Sequence, residues 1–99
     1  MAFQNTIITT TAPTTIISPV TGYFNDLIWV ILTNTSSTGV RVDITAGGPT
    51  CSIWLPATTT LPIFPPSAIP VGSTGNTWTA ALSAAVTDVR IFANYLSHQ

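Results

Sequence analysis

The chain has 99 residues and a formal net charge of -1, with only 5% of its residues charged and 45% hydrophobic. Lys and Glu are absent, and Arg41, Arg90, Asp26, Asp43 and Asp88 carry all the charge. Two Arg cannot build the basic stripe that a phosphate backbone requires, which argues against nucleic acid as a partner. A soluble domain is normally about a quarter charged, so a surface this bare suits a chain packed against copies or partners.

The length predicts one domain that buries roughly 60–65% of its unfolded surface. About a fifth of the residues are Thr, joined by many Val and Ile, and β-branched types favour strands over helices. Pro and Gly cut the chain at strand-like intervals, so the expectation is an all-β fold. We read it as a single small β-sandwich or jelly-roll-like domain of about seven or eight short strands, with residues 1–18 an N-terminal arm or first strand and residues 19–99 the sandwich.

Within the arm, residues 6–17 read as extended, with Pro13 suited to an edge or to a bend between two short strands. Residues 19–22 form a turn or link. In residues 24–33, Leu27, Trp29 and Ile31 alternate with Ile28, Val30 and Leu32, so both faces of the strand are apolar and both need a cover. The polar loop 34–39 leads into residues 40–46, where Val40, Val42, Ile44 and Ala46 face the core and Arg41, Asp43 and Thr45 face out. The expectation is that this loop joins the two strands as a hairpin.

Residues 46–49 end the second strand. The next, residues 50–55, puts Cys51, Ile53 and Leu55 on one side and Trp54 on the other. Five prolines between 56 and 70 forbid a central strand there, and residues 61–64 read as an edge strand or an extended crossing. Residues 72–75 read as a turn, 76–82 as a strand, 83–87 as a connection and 88–96 as the last strand. A helix over residues 78–86 is the weaker alternative, because its flanks lack caps and charges.

Catalytic chemistry has little to work with. His98 is the only histidine and sits beside the C-terminus, and the three Asp lie in separate segments. No nucleophile with a base, carboxylate pair or metal-ligand spacing is evident, so neither an enzyme nor a cofactor or metal site is expected. Cys51 reads as a small core hydrophobe. The triplet Asn34-Thr35-Ser36 matches a glycosylation acceptor, but no secretory leader accompanies it, and the expected site of synthesis is a cytoplasm. The longest apolar run, residues 27–32, is too short for a membrane span.

Recognition residues are therefore sought among apolar and aromatic side chains. Ile7, Ile8, Ile16 and Ile17 alternate too little for a secure core strand and are candidates for docking on a neighbouring subunit. Trp29 reads as core ahead of interface. Trp54 reads evenly as an exposed platform, for a subunit or a sugar, or as an internal second layer, and Tyr95 is a second candidate for sugar stacking. Arg41 with Asp43, and Asp88 with Arg90, place opposite charges on one strand face; between subunits they would fix docking register.

The segment order carries a resemblance. An apolar strand ends in Leu32-Thr33-Asn34-Thr35-Ser36, Val40-Arg41-Val42-Asp43-Ile44 follows, then Trp54-Leu55-Pro56-Ala57, the Pro-rich connection, and Thr77 through Val89. Over about residues 27–95 this resembles the small β-sandwich virion proteins of tailed bacteriophages, of the capsid-decoration and head-fibre type. The resemblance implies a homo-oligomer, commonly a trimer, bound to the major capsid protein or another virion protein on the head exterior, without nucleic acid or membrane as partner. It carries no site residues. A tail or baseplate component and a carbohydrate- or receptor-binding module are the rival readings.

Overall fold

A computed structural model describes residues 2–46, 50–65, 67, 69–70, 75, 77–86 and 88–99. Eight strands are found among them: β1 (Ala2–Ile8), β2 (Thr14–Ile17), β3 (Phe24–Asn34), β4 (Val40–Thr45), β5 (Cys51–Leu55), β6 (Thr59–Ile63), β7 (Trp78–Leu82) and β8 (Val89–His98). Residues 47–49 of the segment expected to end the second strand, and most of the turn expected at 72–75, lie outside the described residues.

The pairing follows one rule. β1 pairs with β8, β2 with β7, β3 with β6 and β4 with β5, all antiparallel. This is the pattern of a chain folded back on itself at the β4–β5 connection, each strand meeting its counterpart from the other half. Rolling that ribbon sends alternate pairs to opposite sides, and two further pairings, β3 with β8 and β4 with β7, weld them into sheets. The result is two four-stranded sheets of order β1-β8-β3-β6 and β2-β7-β4-β5, the jelly-roll form of the β-sandwich.

Between the sheets lies one core, built from inward-facing residues of all the strands but β6: Ile8, Ile16, Leu32, Val42, Leu55, Leu82 and Ile91 are each at most 3% exposed. Leu61 and Ile63 of β6 pack against its margin. β4 alternates as expected, Val40, Val42 and Ile44 buried and Arg41 exposed. Residues 78–82 are a strand, not a helix, with Trp78, Ala80 and Leu82 inward.

Several expectations are corrected. β3 and β4 are not a hairpin; they belong to opposite sheets. The loop 34–39 arches over the end of the core, because both flanking strands turn apolar residues toward the same interior, and Asn34 pins it. The Asn34 amide donates to the carbonyls of Thr38 (2.8 Å), Leu55 (3.4 Å) and Pro56 (3.3 Å), and its Oδ1 accepts from the Ser36 backbone N–H at 3.0 Å. Of the two readings of residues 1–18, arm or first strand, the described residues take the second: 2–8 and 14–17 are strands in both sheets of their own chain, with Pro13 in the bend between them. Ile8, Ile16 and Ile17 are accordingly core residues at 1%, 0% and 0% exposure. A bulge between Thr15 and Ile17 lets two consecutive isoleucines face inward.

Cys51 is exposed. It opens β5, which is an edge strand, and the apolar phase of that strand enters the core only at Leu55. Trp29 also leaves the core. A bulge at Ile28 shifts the register between Leu27 and Trp29, so Leu27, Val30 and Leu32 point inward while Trp29 and Ile31 face outward.

Candidate functional sites on the two outer faces

The bulge in β3 has a chemical consequence on the outer face of the β1-β8-β3-β6 sheet. Phe3 of β1, Asn94 of β8 and Trp29 of β3 stand in one cross-strand row, and Asn5, Phe92, Ile31 and Pro62 form the next. Residues directly opposite share a face, so four aromatic rings converge there. Phe3 stacks on Phe92 (centroids 5.5 Å apart, planes 12°), Phe92 meets Trp29 edge-on at 5.6 Å, and Trp29 contacts Phe3 at 5.9 Å and Phe64 at 6.0 Å. Phe3, Ile7, Phe64 and Phe92 are exposed. At the centre, Asn94 is buried under the rings and donates its amide to the Ala2 carbonyl at 3.1 Å.

Polar groups frame this face. At one end Arg90 reaches Asp88 at 3.1 Å; at the other, His98 lies 2.7 Å from Asp26 and stacks on Phe24. Of the residues expected from sequence to recognise a partner, Ile7 and Trp29 are on this face. Tyr95 is not, since it points inward and packs against the core margin. Phe3, Phe64 and Phe92 escape a reading of the chain because 89 positions separate the first from the last and only strand pairing gathers them. One signal was present: Phe92 shares its alternation phase with Arg90, which marks it as outward-facing.

The opposite sheet presents different chemistry. Trp54 is 62% exposed on β5 and directly opposes Arg41 of β4. The Arg41 guanidinium forks onto Asp43, Nε to Oδ1 at 3.0 Å and Nη2 to Oδ2 at 3.2 Å, while the Ser52 hydroxyl donates to Asp43 Oδ1 at 2.7 Å. These hydrogen bonds, from Arg41 first and then Ser52, hold the Asp43 carboxyl below its ordinary range, and the same contact raises Arg41. Ser83 continues the Arg41 row: its hydroxyl accepts from the Arg41 backbone N–H at 2.9 Å. In the Thr45 row, the Thr45 and Thr50 hydroxyls are bonded at 2.8 Å.

An open depression beside the arching loop is lined by Ser36, Ser37, Thr38, Ala85 and Val86; its described lining offers hydroxyls and no base among them. No group of three or more His, Cys, Asp or Glu that could hold a metal occurs among the described residues, and no helix among them is long and apolar enough to cross a membrane. Asn34 of the glycosylation-like triplet is 1% exposed with its amide nitrogen committed to three carbonyls. Comparison of the chain with protein-family models, with curated proteins and with solved structures returns no match.

Proposed function

We propose that the chain is a structural assembly subunit whose copies pack through the aromatic face of the β1-β8-β3-β6 sheet. In line with the resemblance of its segment order, we read it as a virion protein of a tailed bacteriophage that decorates the capsid exterior as a homo-oligomer. The observation that carries the reading is the cluster of Phe3, Trp29, Phe64 and Phe92 on an open sheet face.

Physical magnitudes support a second copy as the occupant. Four strands about 4.8 Å apart and averaging about eight residues make a footprint of roughly 500 Å², the same order as the ~800 Å² each partner contributes to a standard interface. The face is aromatic at its centre and polar at its ends, the layout of an interface core and rim. A net charge of -1 opposes self-association only weakly. Jelly rolls serve viral capsids and lectins alike, so the fold agrees with the reading without deciding it.

Light scattering at micromolar concentration tests the assembly. The expected mass is a multiple of 10.4 kDa, a trimer if the resemblance extends to stoichiometry, and it persists at about 1 M salt because the contact is apolar. Phe64→Asp, at a side chain 65% exposed, shifts the mass toward monomer with unchanged circular dichroism. A stable wild-type monomer overturns the proposal. Antibody labelling of purified particles tests location: label on the head supports decoration, label on the tail favours the tail or baseplate reading, and unlabelled particles remove the virion assignment.

A further inference from the structure

The two outer faces differ in a way that assembly through one of them does not use. Phe3, Trp29, Phe64 and Phe92 lean on one another, whereas Trp54 stands on the other sheet in a setting of hydroxyls and a single ion pair. Trp54, 62% exposed, offers a large apolar ring face to whatever docks on this sheet.

Its position is built. The indole lies over Gly39, the residue before β4, so closely that a Cβ there would come within 2.6 Å of Trp54 Cζ2 and 3.3 Å of Cε2 and Cη2. Gly39 lacks the positive φ that Gly22 and Gly75 adopt. Its lack of a side chain therefore serves the ring above it, not the backbone. The ring is seated on main chain with its outer surface free.

Beside the platform lies a flat polar clamp. The fork between Arg41 and Asp43 uses two of the five guanidinium N–H donors, leaving three for a ligand. The Asp43 oxygens accept those two bonds and one from Ser52, which leaves acceptor capacity for a ligand hydroxyl. Donor and acceptor side by side in one plane match the paired hydroxyls of a sugar ring, and the apolar C–H face of the same ring suits the electron-rich face of an indole.

We propose that the outer face of the β2-β7-β4-β5 sheet is a carbohydrate-binding site, with Trp54 the stacking platform and Arg41, Asp43 and Ser52 the polar clamp for a neutral hexose. A neutral ligand is favoured because Arg41 is the one cation here and is already balanced by Asp43. With the aromatic face turned toward other copies, this face is the one left open. One site of this size binds weakly, and several copies on a particle raise retention by avidity. The proposal does not rest on assembly, since the site lies within one chain.

The test is an array of neutral, sulfated and sialylated oligosaccharides, the neutral set including maltoheptaose, cellohexaose and mannohexaose, with titration calorimetry of those retained. Wild-type protein binds at least one neutral glycan. Trp54→Ala and Arg41→Ala each weaken it by at least ~10-fold. Gly39→Ala keeps the indole but displaces it, and weakens binding while thermal melting shows an intact fold. Retention only on sulfated or sialylated glycans overturns the neutral-sugar assignment. Absence of retention at millimolar glycan overturns the site itself, as does retention that survives both Trp54→Ala and Gly39→Ala.

Discussion

Asn34 shows how much a single amide can hold in place. It ends β3 inside the core margin and spends its donors on carbonyls of the arching loop and of the β5 exit, while its oxygen takes the Ser36 backbone N–H and hydroxyl. Truncation leaves those buried groups without partners, which costs more than the net worth of the bonds themselves. Asn34→Ala is expected to lower stability by about 3 kcal/mol, or roughly 12–24 °C in Tm for a domain of this size. Thr60→Ala, on an exposed edge strand where only a hydroxyl contact to Thr33 is lost, should stay within about 0.5 kcal/mol of wild type. Equal losses in the two melts would contradict this account. The bonds to Ser36 and Thr38 are of the local Asx kind, but the carbonyl partners at 55 and 56 lie 21 and 22 positions away and leave no local mark.

Individual elements were legible where one face alone is buried. In β4 the alternation of Val40, Val42 and Ile44 with Arg41 and Asp43 reveals both the strand and its inner face. β3 was legible as a strand with two apolar faces, but which face enters the core was not. The extra residue at Ile28 inverts the phase midway, and a bulge leaves no mark in a run where every side chain is hydrophobic. β1 and β2 were ambiguous for another reason: their partners lie at the far end of the chain, so an arm and a pair of edge strands read alike. Placement in both sheets makes an explicit forecast possible. Deleting residues 1–8 strips β8 of its outer neighbour and removes Ile8 from the core, and the truncated chain should lose its cooperative thermal transition by circular dichroism. A melt equal to that of the full chain would instead mean that the segment contributes nothing to the fold.

At the scale of the molecule, the sandwich separates two kinds of surface that the composition mixes. The scarcity of charge suggested a chain that needs company; the fold places the exposed aromatic cluster on one sheet and the hydroxyls, the Arg41–Asp43 pair and Trp54 on the other. Trp54 opposes the apolar phase of its strand, which left a platform and an internal second layer equally open, and its exposure opposite Arg41 decides for the platform. The aromatic cluster was not, because it exists only once β1, β3, β8 and the end of β6 are side by side. Topology also sets the folding problem: every sheet contains strands from both halves of the chain, and pairing over such separations makes folding slow relative to helical domains of equal length.

The alliance of the first strand with the last has a practical corollary. Ala2 lies beside Tyr95, so the chain starts and finishes at one pole of the sandwich, with residues 96–99 overhanging by about 13 Å. A linker of about six residues can return across that gap. Opening the chain between Thr10 and Thr11, in the exposed stretch 9–13, then yields a circular permutant in which β8 runs straight into β1 as a hairpin. The pairing most distant in sequence becomes the most local one. Stopped-flow refolding should show the permutant folding faster than the parent at similar stability, whereas an unchanged rate would mean that the union of the two ends does not limit folding.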